Sequence, residues 1–289
     1  MRVYKEEIEV LRLTGNDVSD FLQRVSTNDF RKFENNTVLR TVFTTDKGRI
    51  VDLITVLRIN DEYILVCSVN RENFVKDFLN KYIVTEDINI KSDSCVKYTI
   101  IPKFEHDYEF MSGNNVVEDN IFYLDDYMFR KIVVLVFNQS SEFINTLLEN
   151  TSQINDFDFK CIAIDKGFLF DSNELNENIN PLECGLKEYV SFNKGCYIGQ
   201  EVISRMDTQS KIPKVMLRLN AEFELNTGDK IYFNDTGIET ECGFISSAGK
   251  STFDNAAIGF IREVNLKEEY NYYINKNVNH VILINKFKY

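Results

Sequence analysis

The residues best suited to chemistry lie together in one short segment. It reads Lys194-Gly195-Cys196-Tyr197-Ile198-Gly199-Gln200-Glu201. A short helix is predicted over 200–205, and its N-terminus together with Lys194 would favour the thiolate of Cys196 over the thiol. Because a free thiol with a pKa of about 8.5 is only slightly ionised at neutral pH, this would produce a nucleophile. A small buried cysteine that packs a glycine-rich turn explains the same residues, so the local chemistry leaves both interpretations open.

Other patterns favour neither a metal site nor a nucleotide site. The two histidines, His106 and His280, are far apart, and no two cysteines have the spacing of a zinc knuckle. Residues 243–251 resemble a phosphate-binding loop, but five residues separate the two glycines where the Walker A pattern has four. A strand, and not a helix, is predicted to follow them. We therefore interpret this segment as a hairpin.

The elements that must position the cysteine segment alternate irregularly between strands and helices, which is typical of an α+β fold. Strands are predicted over 8–13, 39–44, 50–59, 62–67 and 132–137. The second, third and fourth of these, separated by turn residues, predict an antiparallel meander. Apolar residues at helical spacing predict helices over 18–25, 74–82 and 143–148, the last of them capped from Ser140-Ser141.

The chain changes character after Lys214. Short β-rich runs separated by Gly, Asn and Asp occur over 215–219, 230–233, 242–246, 257–261 and 281–284. This pattern predicts a small all-β domain. Its boundary is expected near residues 210–213.

Length and charge restrict the class of protein. The 289 residues suggest about two domains. The net charge of −12 opposes binding to nucleic acid backbones and to anionic membranes, so neither is expected as a direct partner. The N-terminus lacks the apolar run of a signal peptide, and the six scattered cysteines do not form a secreted disulfide framework. A cytoplasmic protein with free thiols is therefore expected.

The cysteine segment also resembles the K-G-C-Y-x-G-Q-E motif of the YgfZ proteins, which are folate-binding relatives of the glycine cleavage T protein. Further segments are similar to the same group: Leu13-Thr14-Gly15-Asn16-Asp17, Phe21-Leu22-Gln23, Thr27-Asn28-Asp29, Asp46-Lys47-Gly48-Arg49, and Cys242-Gly243-Phe244-Ile245-Ser246-Ser247 with Ile258-Gly259. The run Pro181-Leu182-Glu183-Cys184-Gly185-Leu186 is similar to one that the group shares with the T protein. Residues 96–155 carry no family motif. The resemblance otherwise covers nearly the whole chain.

The resemblance implies a three-lobed, T-protein-like α+β fold around a central cavity for tetrahydrofolate or a one-carbon derivative, with a small C-terminal β-barrel. Residues 1–95 and 155–212 would form a discontinuous folate-binding domain. Residues 96–154 would form an inserted α+β lobe, and residues 213–289 the barrel.

The function that the resemblance implies is support for the assembly or repair of iron–sulfur enzymes, including enzymes that modify tRNA. Cys196 and Lys194 would be the catalytic residues, and the partners would be folate and iron–sulfur client enzymes or assembly proteins. Two alternatives stay open: an aminomethyltransferase of the glycine cleavage system, and a folate-binding scaffold without turnover. Whether the chain is an enzyme is therefore open at this point.

The resemblance also implies folate contacts. A pterin presents a ring N–H beside an exocyclic amine, and one carboxylate can accept both. Relatives use a glutamate in an I-E-x-G run, and here the run is Ile164-Asp165-Lys166-Gly167, whose carboxylate is one methylene shorter. Aromatic walls for the pterin are expected from Phe159, Phe168, Phe192 and Tyr197. The remaining expected contacts are Asp52, Asn28, Gln200, Glu201 and Arg205.

Asp52 lies in a run that is similar to the G-G-I-x-D-D-L-I segment of the T protein. That segment has two adjacent acids, whereas this chain has Val51 beside Asp52. The acid that assists methylene transfer in the T protein is thus expected to be missing, with Val51 in its place. This difference favours the YgfZ role over the aminomethyltransferase.

Overall fold

The computed structural model describes residues 1–103, 117–118, 121–126, 131–137, 142–149, 151–169, 172–250 and 255–287. Within these ranges no helix is long and apolar enough to cross a membrane. The chain divides into two compact units. The first unit comprises Met1–Asp46, Val51–Asp156 and Tyr189–Gln200, and the second comprises Lys47–Ile50, Phe157–Glu188 and Glu201–Tyr289.

The first unit is built on a nine-stranded sheet. Its strands are β1 (Arg2–Thr14), β2 (Thr37–Thr44), β3 (Ile50–Ile59), β4 (Glu62–Val66), β5 (Asn89–Ile101), β6 (Val117–Glu118), β7 (Ile121–Asp126), β8 (Lys131–Val136) and β9 (Ser152–Gln153). Their order is β2-β3-β4-β1-β5-β8-β7-β6, and β9 pairs with β1 in parallel. β1 and β5 are antiparallel and pair along the full length of β1, so this pair forms the centre of the sheet.

Two helices cover part of this sheet, α1 (Val18–Val25) and α2 (Glu72–Tyr82). α1 buries apolar residues at positions i, i+3, i+4 and i+7, the spacing of a helix with one apolar face. They join a core with residues of β1, β2, β3 and α2, for example Leu11, Phe43, Ile54 and Leu79. Burial of this apolar surface is the main force that holds α1 against the sheet. A third helix, α3 (Glu142–Glu149), follows β8.

The second unit contains a closed β-barrel. Its strands are β10 (Lys214–Ala221), β11 (Lys230–Asp235), β12 (Ile238–Lys250), β13 (Asn255–Arg262), β14 (Tyr272–Ile274) and β15 (Asn277–Asn285), in the order β10-β13-β12-β11-β14-β15. Alternate residues such as Leu217, Leu219 and Ile231 fill its core. The elements outside the barrel are α4 (Asp156–Lys166), α5 (Gln200–Thr208) and short 3-10 turns at Pro181–Cys184, Leu186–Tyr189 and Glu263–Asn265.

The α+β fold class and the C-terminal barrel are confirmed. The strands and helices predicted from periodicity are present, and β12 and β13 are antiparallel neighbours, as the hairpin interpretation requires. The predicted cap at Ser140-Ser141 lies outside the described residues. Strand β5 and helix α4 were not predicted. The first half of β5, Asn89–Ser94, is mostly polar and shows no strand periodicity, so its pairing with β1 determines its structure. The three-part domain division stays a prediction.

Candidate functional site

The cysteine turn, residues 191–199, is fastened to the first unit at both ends. The backbone N–H of Ser191 donates to the carbonyl of Thr27 at 2.9 Å, and the N–H of Ile198 donates to the carbonyl of Arg24 at 3.3 Å. Both acceptors lie in α1 or directly after it. The turn is therefore part of the first unit, and α5 begins directly after it at Gln200.

Lys194 points from this turn into the protein interior. Lys194 is only 6% exposed. Nζ donates to the carbonyl oxygens of Ser26 at 2.8 Å and Asn28 at 2.5 Å, and it lies 5.2 Å from the centre of the Tyr197 ring. Burial lowers the pKa of Lys194 to about 7. The carbonyls supply the hydrogen bonds that a buried amine requires.

Cys196, two residues later, is exposed, which does not fit the interpretation of a buried packing residue. All six cysteines are free thiols, as the sequence predicted. Cys95, Cys184 and Cys242 are buried, and burial raises the pKa of each of these three thiols. Cys196 is therefore the thiol that solvent reaches most readily among the six.

The neighbours of the cysteine differ in how they are placed. Tyr197 is buried, and burial raises its pKa to about 12. Its hydroxyl has no hydrogen-bond partner among the described residues. Asn28 donates from its side-chain amide to the carbonyl of Arg40 at 2.7 Å, so this amide holds backbone in place. Gln200 is partly buried at the start of α5.

Of the other α5 residues expected at the site, Glu201 and Arg205 are exposed and belong to the second unit. Phe159 and Phe168 are buried in the second unit, whereas Phe192 is partly exposed in the first. The structure thus brings together Lys194, Tyr197 and the carbonyl of Asn28.

Asp52 is fully buried in the first unit. Its carboxylate accepts hydrogen bonds from the backbone N–H of Leu53 at 2.9 Å and from the N–H and hydroxyl of Ser68 at 2.9 and 2.5 Å. Burial raises its pKa to about 6, although the bonds from Ser68 act in the opposite direction. Val51 is also buried, and its carbonyl accepts from Arg71. The carboxylate of Asp52 is therefore engaged in hydrogen bonds to Leu53 and Ser68 inside the first unit.

Asp165 lies near the C-terminal end of α4 and forms a salt bridge with Arg218 of β10. The distance from Arg218 Nη2 to Asp165 Oδ1 is 2.5 Å, and the side chains are 31% and 37% exposed. The carboxylate is therefore accessible, but one of its oxygens already binds a guanidinium.

Sequence reasoning missed the partners of these residues, among them Ser26, Ser68 and Arg218. The carbonyl of Ser26 has no sequence signal, since any residue type supplies a backbone carbonyl. Arg218 carried no motif, and its alternation within β10 indicated only a strand.

Comparison with known proteins agrees with this architecture. Residues 6–100 match the GCVT N-terminal domain. The chain is 25% identical over 235 residues to an aminomethyltransferase of Thermoanaerobacter pseudethanolicus, covering 71% of this chain and 63% of that protein. It is 27% identical over 222 residues to an aminomethyltransferase of Caldanaerobacter subterraneus subsp. tengcongensis, covering 68% of this chain and 59% of the relative. The chain thus spans only part of the length of these curated relatives.

A solved structure of glycine cleavage system aminomethyltransferase T from Bartonella henselae has the same fold. The TM-score is 0.80 at 12% sequence identity, and the match covers 99% of this chain and 84% of that one. The fold of this chain is therefore that of aminomethyltransferase T, and its N-terminal residues and the bacterial relatives show a similarity in sequence to T-protein-like proteins.

Proposed function

We propose that this chain binds a reduced folate and supports the assembly or repair of iron–sulfur enzymes, including enzymes that modify tRNA, with Cys196 as the functional thiol. The observation that carries the proposal is an exposed cysteine on a turn that is fastened at both ends. A thiol in this setting is accessible to a partner and yet held in a defined place. The resemblance of the cysteine segment to the YgfZ motif supports the iron–sulfur role.

Folate binding is supported by the T-protein-like fold and by the half-exposed carboxylate of Asp165. Tetrahydrofolate or a one-carbon derivative is the proposed ligand. Asp165 would accept from the pterin, and Phe159, which lies in the same unit, stays a proposed aromatic contact.

Thermal unfolding with tetrahydrofolate, 5-formyl-tetrahydrofolate and ATP tests the folate proposal. A ligand that binds only the native state adds about 2.7 kcal/mol of stability at a hundredfold excess over its dissociation constant. We expect at least one reduced folate to raise the melting temperature. ATP should leave the melting temperature unchanged. If no reduced folate raises it at millimolar concentration, the folate proposal is wrong.

Cys196→Ser tests the thiol. Because Cys196 is exposed, the serine variant should keep its free energy of unfolding within about 0.5 kcal/mol. It should nevertheless fail to restore iron–sulfur enzyme activity in cells that lack the native protein. Cys161→Ser, at a partly exposed cysteine of the second unit, is the matched control and should restore it. Full restoration by Cys196→Ser would instead support the scaffold without turnover.

The second candidate is an aminomethyltransferase, the activity in the names of the two bacterial relatives. Val51 and Asp52 argue against it, because the first is a buried apolar residue and the second is committed to Ser68. We expect no methylene transfer from an aminomethyl-lipoyl carrier to tetrahydrofolate. Turnover of about 1 per second or faster, the usual range of enzymes, would favour this candidate.

A further inference from the structure

The carbonyls that hold Lys194 lie directly after the C-terminus of α1. Ser26 is the C-cap of this helix and has an extended backbone, so the chain leaves the helix at this residue. Asn28 follows two residues later, and its carbonyl lies 2.5 Å from Nζ. Ser26 itself is fully buried. The amine gives the buried carbonyl of Ser26 a hydrogen-bond partner, which a buried backbone carbonyl requires.

The side chains of Lys194 and Cys196 differ in exposure although only one residue separates them. The lysine side chain is buried and the cysteine is exposed, with Gly195 between them. A Cβ on Gly195 would have no atom within 4 Å, so this side of the turn faces open space. The inward lysine is therefore the anchor next to the outward thiol.

We infer that Lys194 is a positioning residue, which holds the cysteine turn to the carbonyls of Ser26 and Asn28 and thereby fixes the place of the Cys196 thiol. Its Nζ donates to these two carbonyls, which follow the C-terminal end of α1 in the chain. The expected loss of iron–sulfur enzyme activity in cells rests on the proposed function of Cys196. The expected faster amide exchange in the turn does not rest on it.

This role differs from activation of the thiol by a nearby positive charge. An activating charge acts through the pH at which the thiol ionises, so its removal shifts the pH midpoint of alkylation upward. An anchor instead keeps the turn ordered, so its removal speeds hydrogen exchange at the turn amides. Two N–H donors are enough for two carbonyls, and a neutral amine still has two, so the anchor works in either protonation state.

The experiment compares Lys194→Met, Lys194→Arg and Lys32→Met with the wild type, without folate. Methionine keeps an unbranched stem and removes the donors, arginine keeps donors, and Lys32 is an exposed lysine of the first unit that matches the loss of charge. Hydrogen exchange is measured at the amides of Ser191 and Ile198. Iodoacetamide labelling of Cys196 is followed against pH.

We expect Lys194→Met to speed exchange at both amides at least tenfold, which corresponds to about 1.4 kcal/mol. Exchange in the β1–β5 pair should stay unchanged, the pH midpoint of labelling should stay at the wild-type value, and Lys194→Arg should restore most of the protection. Lys32→Met should match the wild type throughout. In cells, Lys194→Met should reduce iron–sulfur enzyme activity and Lys194→Arg should recover it.

Unchanged exchange in Lys194→Met, or a labelling midpoint that moves upward while the turn stays protected, would overturn the inference. A general rise in exchange that includes β1–β5 would also overturn it, because it would show loss of the whole unit's stability. If reduced folates fail to bind, or Cys196→Ser restores activity in cells, the proposed function is wrong while the exchange and labelling results still decide the role of Lys194.

Discussion

At the scale of single residues, the ionisable groups of the candidate site differ in their burial and in the partners that they bind. Lys194 is buried against two carbonyls, Asp52 is buried against donors from Ser68 and Leu53, and Asp165 is half exposed against Arg218. Burial shifts the pKa of the first two toward neutrality. The stability of the protein should therefore depend on pH through Lys194 and Asp52. A ligand should compete for Asp165 at the partly exposed Asp165–Arg218 pair.

Asp52→Asn should remove a pH dependence of stability. The pKa of Asp52 is raised from 3.8 to about 6 in the folded protein, so folding favours its protonated form. The contribution of protonated Asp52 to the free energy of unfolding is complete below about pH 4 and is lost as the pH rises through 6. The free energy of unfolding of the wild type, relative to Asp52→Asn, should fall by up to about 3 kcal/mol between pH 4 and pH 8.

Urea unfolding at several pH values measures this difference. Asp46→Asn, at an exposed aspartate, is the control and should follow the wild type. A difference between Asp52→Asn and the wild type that does not change with pH would show that folding does not raise the pKa of Asp52.

Arg218→Gln should strengthen folate binding, provided that Asp165 receives the pterin as proposed. Pterin binding must then displace the guanidinium from Asp165, and a partly exposed ion pair is worth up to about 1 kcal/mol. We expect the dissociation constant of 5-formyl-tetrahydrofolate to fall by up to about fivefold in Arg218→Gln. Asp165→Ala should instead weaken binding by about 1 to 3 kcal/mol.

Titration calorimetry with both variants decides between the roles. Weaker binding in Arg218→Gln would identify the arginine as a ligand contact and not a competitor. Wild-type affinity in Asp165→Ala would remove Asp165 from the folate site.

At the scale of elements, the junction between β1 and α1 depends on close contact between backbones. Gly15 has φ of +130°, and a Cβ at this position would lie 1.9 Å from the carbonyl oxygen of Asp87. The N–H of Asp87 in turn donates to the carboxylate of Asp17, the N-cap residue of α1. The segment before β5 and the start of α1 are therefore joined at a position where only glycine fits.

Gly15→Ala should lower the free energy of unfolding by at least about 2 kcal/mol, because the backbone conformation is unfavourable for alanine and the carbonyl of Asp87 must move. Gly195→Ala is the matched comparison, since a Cβ there meets nothing within 4 Å, and its cost should stay within about 0.5 kcal/mol. Chemical denaturation measures both. Equal costs would contradict the close approach at Gly15.

At the scale of the whole molecule, the net charge of −12 bears on the partners. A chain of this charge repels the phosphate backbone, so the proposed link to tRNA modification runs through enzymes and not through RNA. Labelled tRNA and duplex DNA should show no binding by fluorescence anisotropy up to about 10 μM protein in 150 mM salt. A dissociation constant below about 1 μM would reveal a local basic surface that the overall charge conceals.

Several features follow from the sequence by itself. The β2-β3-β4 meander, helices α1 and α2 and most of the barrel strands were predictable, because apolar periodicity and turn residues are local properties. The cysteine segment was recognisable for the same reason, since its residues are consecutive. Its resemblance to a family also indicated the fold of the chain before any long-range contact was known.

Only the tertiary structure decided the rest. The mostly polar residues 89–94 form a strand because β1 offers a partner along its whole length. The same holds for the side chains of the site: Lys194 meets carbonyls 166 and 168 residues away, and Asp165 meets Arg218 from another element. The direction of a side chain and its burial depend on which distant segments pack beside it. No local pattern records that, so the sequence identified the lysine and the cysteine, and the fold determined that one points inward and the other outward.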